Sequence, residues 1–223
     1  MENPVSGEVF YTLPEGEGTI NRLIRNFEQY FNGEPEGWGS LDALIRAVVL
    51  YYQFEAIHPF QDGNGRTGRV LLVMYLVQQG QLKVPILFLS KYLLNHRATY
   101  NTLLRNVTKE EAWKDWVLFI LRGMTQQADE TRMKVQAITS LQAELKRYFE
   151  TKYPRGHPYG MVENILSYPV ITIRRVAEDL KISRLTAEKY IKNLESDKVI
   201  SVLTTKGREQ IYAYDALLAV LAS

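Results

Sequence analysis

Apolar residues recur at steps of three and four through most of the chain, so the fold is expected to be mainly α. Ile20, Leu23, Ile24, Phe27 and Phe31 mark one amphipathic helix. Residues 33–39 are rich in turn formers, and Ser40 then stands where an N-cap would open a second helix with apolar residues at 41, 44, 45, 48, 49 and 52. Residues 70–77 are apolar on every side, the pattern of a helix buried all round at the centre of a bundle. Further helices are expected over about 90–105 and 109–150. The second carries Trp113, Val117, Ile120, Leu121 and Met124 on one stripe. Near the start, Val9, Phe10, Tyr11 and Thr12 form a short β-like run stopped by Pro14 and Gly16, which reads as a strand or hairpin arm.

The pattern breaks at residues 153–160, where two prolines, two glycines and a histidine interrupt it, and a domain boundary is expected there, between 1–150 and 151–223. Beyond it come a helix over 161–167, a second over 172–180, a turn at 181–183 and a third helix over 184–195. Strands over 199–203 and 210–214 follow, joined by 204–208. Helix, turn, helix and β-hairpin is the order of a small winged helix-turn-helix domain.

Composition adds exclusions. The 223 residues are 46% hydrophobic and 23% charged, enough apolar material for a real core. There is no cysteine, which removes disulfides and cysteine-based zinc or nucleophile chemistry. The net charge of +2 is too small to argue for a polyanion by itself. No charged-then-apolar segment opens the chain, and the apolar run at 70–77 is far short of the roughly 18 residues a membrane helix needs. A cytoplasmic protein without a membrane segment is the expectation.

The candidate chemistry lies in His58-Pro-Phe-Gln-Asp-Gly-Asn-Gly-Arg-Thr-Gly-Arg69. Gly63, Gly65 and Gly68 match the spacing of a dinucleotide fingerprint, but that needs a strand ahead of it, and a helix precedes it here. Gly63 and Gly65 flank Asn64 and let backbone N–H groups approach phosphate oxygens. The helix that follows aims its free N-terminal donors at the same place. Arg66 and Arg69 lie on one side of that helix, with planar donors suited to phosphate. Asp62 can hold a magnesium ion that bridges phosphates. His58 can take a proton from an incoming hydroxyl. Taken singly, each has a blander reading: a structural histidine, a surface turn, a solvated pair of arginines, or an incomplete calcium loop lacking the downstream glutamate.

His58-Pro-Phe-x-Asp62-Gly-Asn64-Gly-Arg66-x-x-Arg69 resembles the full signature of the Fic (Fic/Doc) family, and the resemblance extends over roughly residues 7–150. It implies a Fic-type helical bundle with a β-hairpin flap, and a protein adenylyltransferase moving AMP from Mg-ATP to a Ser, Thr or Tyr hydroxyl of a target protein or of itself. By resemblance His58 is the base, Phe60 anchors the loop in the core and Asp62 binds Mg²⁺. Asn64 contacts the α-phosphate, Gly63 and Gly65 form the anion cradle, and Arg66 and Arg69 hold the outer phosphates. Val9, Phe10, Tyr11 and Thr12 resemble the flap that pairs with the target chain, with Leu13 departing from the family's usual residue. Asn95 and Tyr100 fall where relatives approach the adenosine. Retention of Gly65 favours AMP over another phosphate-containing group.

The resemblance also implies an inhibitory helix reading Ser/Thr-x-x-x-Glu-Gly/Asn. Ser140 and Glu144 have the spacing, but Leu145 follows, so the match fails. Relatives with a winged helix usually carry that helix ahead of the flap, so the expectation is a chain whose brake comes from an absent N-terminal segment or from a partner. A homodimer is compatible with all of this. From residue 151 on there are 11 Lys and Arg against 8 Asp and Glu, a net of +3. Arg184, Lys189, Lys192, Lys206 and Arg208 would suit DNA phosphates, or a solvated or protein-binding face. The competing reading is a DNA-binding regulator whose Fic-like site senses a nucleotide.

Overall fold

The computed structural model describes residues 14–33, 36–154, 159–207 and 209–223, without the side chain of Lys206. The flap expectation at Val9, Phe10, Tyr11 and Thr12 lies outside the described residues, as does Arg208 of the hairpin turn. Contacts divide the chain into two compact units, Met1–Thr131 and Arg132–Ser223.

The first unit is built from α1 (Glu17–Asn32), α2 (Ala43–Ile57), α3 (Asn64–Gln78), α4 (Leu89–Asn95), α5 (Arg97–Glu110) and the first part of α6 (Trp113–Lys152). Ser40 does not cap α2. It sits in a single 3-10 turn, Trp38–Ser40, and its hydroxyl donates to the Gly37 carbonyl at 2.6 Å. Asp42 is the cap instead: its carboxylate accepts from the backbone N–H of Leu44 at 2.8 Å, satisfying one of the orphan donors of the first turn.

α2 and α3 pack side by side and bury Tyr51, Phe54, Leu72, Tyr75 and Leu76, with Trp116 of α6 wholly enclosed against them. Each such side chain contributes roughly 1.5–3 kcal/mol by leaving water. The expectation that residues 70–77 are buried all round is corrected. Val70 is 57% and Met74 54% exposed. α3 meets α2 through Gly68, Leu72, Tyr75 and Leu76, so positions 70 and 74, one turn apart, fall on the other side. The single helix expected over 90–105 is broken at His96, whose Nδ1 lies 2.9 Å from the Tyr92 carbonyl oxygen and whose backbone leaves helical angles.

The second unit holds the end of α6, α7 (Tyr159–Ser167), α8 (Ile173–Leu180), α9 (Arg184–Ser196), α10 (Asp215–Ala222) and a three-stranded antiparallel sheet. The strands are β1 (Val170–Thr172), β2 (Ser201–Lys206) and β3 (Glu209–Ala213), in the order β1-β3-β2. β1 was not expected; Val170 pairs Ala213 and Thr172 pairs Ile211, and Thr172 then caps α8. The expected helix at 184–195 is α9, capped by the Ser183 hydroxyl, which accepts from Thr186 N–H at 3.1 Å.

The two units part inside α6, upstream of the boundary expected at 150. Leu145 and Phe149, late in that helix, are buried with Met161, Ile165, Ile191 and Leu194. An unbroken helical stripe gives no sign of where its core changes. Among the described residues, no helix is long and apolar enough to cross a membrane.

Candidate active site

The loop 58–63 is held between the ends of α2 and α3. His58 closes α2 in the left-handed region, φ 50 and ψ 54, and its N–H donates to Phe54 O at 3.1 Å. A non-glycine residue there is strained by roughly 1–2 kcal/mol, and the strain turns the chain sharply out of the helix. The ring is half-buried, with Nδ1 3.4 Å from the Glu55 carbonyl oxygen. That oxygen can only accept, so the contact favours hydrogen on Nδ1 and leaves Nε2 as the basic nitrogen.

Phe60 departs from its expected role. It is 52% exposed, leaning on Phe54 with ring centroids 6.3 Å apart, and does not fill the core. The clamp on the loop is Asn64. The residue is 3% exposed, its Nδ2 donates to Phe60 O at 2.6 Å, and its Oδ1 accepts from Phe60 N at 2.9 Å. The buried amide therefore ties the loop backbone to the start of α3.

Gly63 is the N-cap of α3 at φ 87, a conformation that favours glycine, and it offers no capping side chain. The first helical bond runs from Thr67 N to Gly63 O. The backbone N–H groups of Asn64, Gly65 and Arg66 thus open the helix without intrahelical acceptors. Asp62 accepts from Gly63 N at 2.6 Å and from Arg66 Nη2 at 3.1 Å, while 90% of its side chain remains exposed. Arg66 and Arg69 line one cavity of about 350 Å³, whose apolar side includes Val70, Met74, Leu87 and Phe88.

The signature residues His58, Asp62, Gly63, Asn64, Gly65, Arg66 and Arg69 thus meet in one loop and one helix start. Asn95 and Tyr100 come from α4 and α5 and not from the loop. Asn95 ends α4 and is exposed, and the Tyr100 hydroxyl is engaged below, with Tyr51 at 3.2 Å. Among the described residues no group of three or more His, Asp or Glu side chains could hold a metal ion. The exposed Asp62 is one carboxylate, which fits an ion completed by substrate phosphates and water.

One group escaped the sequence reading. Glu55, on α2, is 4% exposed and lies behind the loop. Burial pushes its carboxyl up to about 7, against the lowering effects of a hydrogen bond from Tyr100 and the charge of Arg69. Burial likewise raises the Tyr51 and Tyr100 hydroxyls well above the usual range, so both stay neutral. The available signal was the single charged residue in the run 47–57, which is otherwise apolar apart from Gln53.

Residues 2–76 match the Fic/DOC family. The chain is 32% identical over 108 residues to a protein adenylyltransferase Fic of Culex quinquefasciatus, covering 48% of this chain and 20% of that protein. The corresponding Drosophila melanogaster protein is 37% identical over 74 residues, or 33% of this chain and 15% of that protein. A probable protein adenylyltransferase of Aquifex aeolicus is 47% identical over 47 residues, 21% of this chain and 15% of that protein. The matched part thus spans a fifth or less of the length of these relatives. In fold, the chain resembles the crystal structure of a Fic family protein from Desulfovibrio desulfuricans G20, with a TM-score of 0.50 at 17% identity, covering 90% of this chain and 56% of that one. The similarity in sequence is thus to the Fic/DOC family over residues 2–76, and the likeness in fold extends beyond them.

Proposed function

We propose that the chain is a protein adenylyltransferase, moving AMP from Mg-ATP to a Ser, Thr or Tyr hydroxyl of a target protein. One observation carries the reading: a histidine, the open N–H donors of a helix start and two arginines border one six-residue turn. The names of the relatives support it.

In this reaction the target hydroxyl oxygen attacks the α-phosphorus of ATP in line. The bond from that phosphorus to the pyrophosphate oxygen breaks, and the hydroxyl proton passes to His58 Nε2. The N–H groups of Asn64, Gly65 and Arg66 stabilise charge on the transferring phosphoryl oxygens. Asn64 keeps Phe60 fixed with its amide while its backbone N–H faces the phosphate, and Arg66 and Arg69 hold the outer phosphates and favour pyrophosphate as leaving group. Asp62 would hold Mg²⁺, exchanging its bond with Arg66 for the ion; the metal would neutralise phosphate charge.

Incubation with α-labelled ATP and a cell lysate tests the reading. Label is expected on protein with the wild type and falls by about 10²–10⁴-fold in His58→Ala, while ATP affinity is kept. No protein label with the wild type, with ATP still bound, would favour a nucleotide sensor instead.

The second unit supports a winged helix-turn-helix reading. α8 ends at Lys181 in the left-handed region, Ser183 caps α9, and β2 and β3 form the hairpin. Leu185, the second residue of α9, is 79% exposed, a contact position on this reading. Salt-dependent binding of duplex DNA by the full chain, reduced in Lys189→Ala, would favour DNA over a protein partner.

A further inference from the structure

The buried carboxyl of Glu55 has no task in the transfer chemistry, yet the start of α3 is shaped around it. A Cβ placed on Gly68 would stand 2.5 Å from Glu55 Oε1, so only glycine leaves the carboxyl room. A Cβ on Gly65 would stand 3.9 Å from both carboxyl oxygens and 3.2 Å from Arg69 Nη1. Glu55 and Arg69 therefore approach the same glycine, and Arg69 both hydrogen-bonds Tyr51 and lines the cavity. Tyr100 of α5 hydrogen-bonds Glu55, and Tyr51, one turn before Glu55 on α2, completes the group. Glu55 Oε1 has no hydrogen-bond partner among the described residues.

An ionised carboxylate with an unpartnered oxygen in an apolar surround is unfavourable unless a cation compensates it. Arg69 is that cation, and it also lines the cavity beside the anion cradle. A phosphate engaging Arg69 would withdraw the compensation and add negative charge nearby. Either effect favours a proton on Glu55.

We propose that Glu55 is a proton-linked positioning residue for Arg69: ionised, it draws the guanidinium inward over Gly65, and protonated, it releases it to a phosphate of the nucleotide. This rests on the nucleotide site proposed above. Among the described residues, the titratable or charged groups facing Glu55 are Tyr51 on its own helix, Arg69 on α3 and Tyr100 on α5. Trp116 of α6 packs on both tyrosine rings without a charge. A carboxyl pushed up to about 7 by burial titrates where such a linkage can be read.

The test is calorimetric titration of the full chain with Mg-ATP at pH 7.5, in two buffers of different ionisation enthalpy. The wild type is expected to take up most of one proton per ATP bound. Its affinity is expected to fall roughly tenfold from pH 7 to pH 8.5. Glu55→Gln should bind ATP with no uptake and a flat profile, whereas His58→Ala should keep the uptake, which excludes His58 as its source. Should Glu55→Gln fail to fold, Tyr100→Phe serves in its place, because loss of that donor shifts the midpoint of the pH dependence upward. ATP binding without proton uptake in the wild type, or with equal uptake in Glu55→Gln, overturns the role of Glu55 alone. No ATP binding by the wild type overturns the nucleotide site and this proposal together.

Discussion

The Asn64 amide grips Phe60 by both of its backbone polar groups, donating to the carbonyl at 2.6 Å and accepting from the N–H at 2.9 Å. Asn64→Ala removes both bonds at a buried position, with an expected loss of about 1–3 kcal/mol. Urea unfolding would measure it, and a loss under about 0.5 kcal/mol would mean that the loop is held by something else. ATP affinity should fall as well, since the cradle N–H groups lose their fixed orientation.

Two glycines on one helix face different obstacles. At Gly68 an added Cβ meets Glu55 Oε1 at 2.5 Å and the rings of Phe54 and Tyr51 at 3.2 Å, all in the packed interior. Gly68→Ala is expected to destabilise by about 1–3 kcal/mol, as overpacking does. At Gly65 the nearest obstacle is Arg69 Nη1 at 3.2 Å, the end of a long side chain that can move. Gly65→Ala should therefore weaken ATP binding more than it lowers stability. Thermal unfolding beside nucleotide titration separates the two, and an equal stability loss in both variants would refute the distinction.

Stability should depend on pH through Glu55. Its carboxyl is raised from 4.5 to about 7 in the folded chain, chiefly by burial. Below 4.5 the group is protonated folded and unfolded, and it contributes no slope. Between 4.5 and about 7 the folded state keeps a proton that the unfolded state has lost, so stability falls as pH rises. Above about 7 both states are ionised and the full penalty, on the order of 3 kcal/mol, is in place. Glu55→Gln removes this slope, so its stability relative to the wild type should climb across that window. Parallel profiles for the two proteins in chemical denaturation would contradict it.

Arg66 and Arg69 should separate under substitution. Arg66 pairs with Asp62 at 3.1 Å on the exposed face of the loop, with side chains 74% and 90% exposed. Arg66→Ala is expected to change stability by no more than about 0.5 kcal/mol. Arg69 compensates a buried carboxyl, so Arg69→Ala should lose stability, and more above pH 7 than below it. Both should weaken ATP binding, by about 10- to 100-fold each if a charged hydrogen bond worth roughly 1.5–3 kcal/mol is lost. Unchanged ATP affinity in both variants would remove them from the phosphate site.

Much of the local arrangement was legible in the chain. His58 to Arg69 is contiguous, so the loop and the helix start that carry His58, Asp62, Arg66 and Arg69 follow from adjacent residues. The helices expected over 20–31 and 184–195 were likewise readable from spacing and turn residues, and are α1 and α9. β1 was not, because three residues have no detectable period and gain strand geometry only by pairing with β3.

What the sequence determined by itself was which groups meet within a turn or two, since backbone connectivity and helical period bring them together. What tertiary structure decided was what lies behind them. The exposure of Val70 and Met74 depends on which side of α3 meets α2. The division inside α6 depends on which core Leu145 and Phe149 join. The placing of Glu55 beneath Gly65 and Gly68, with Tyr100 brought from α5, is set by packing between helices. No local rule records contacts between residues 45 positions apart, and the charge of a buried carboxyl is decided by such contacts.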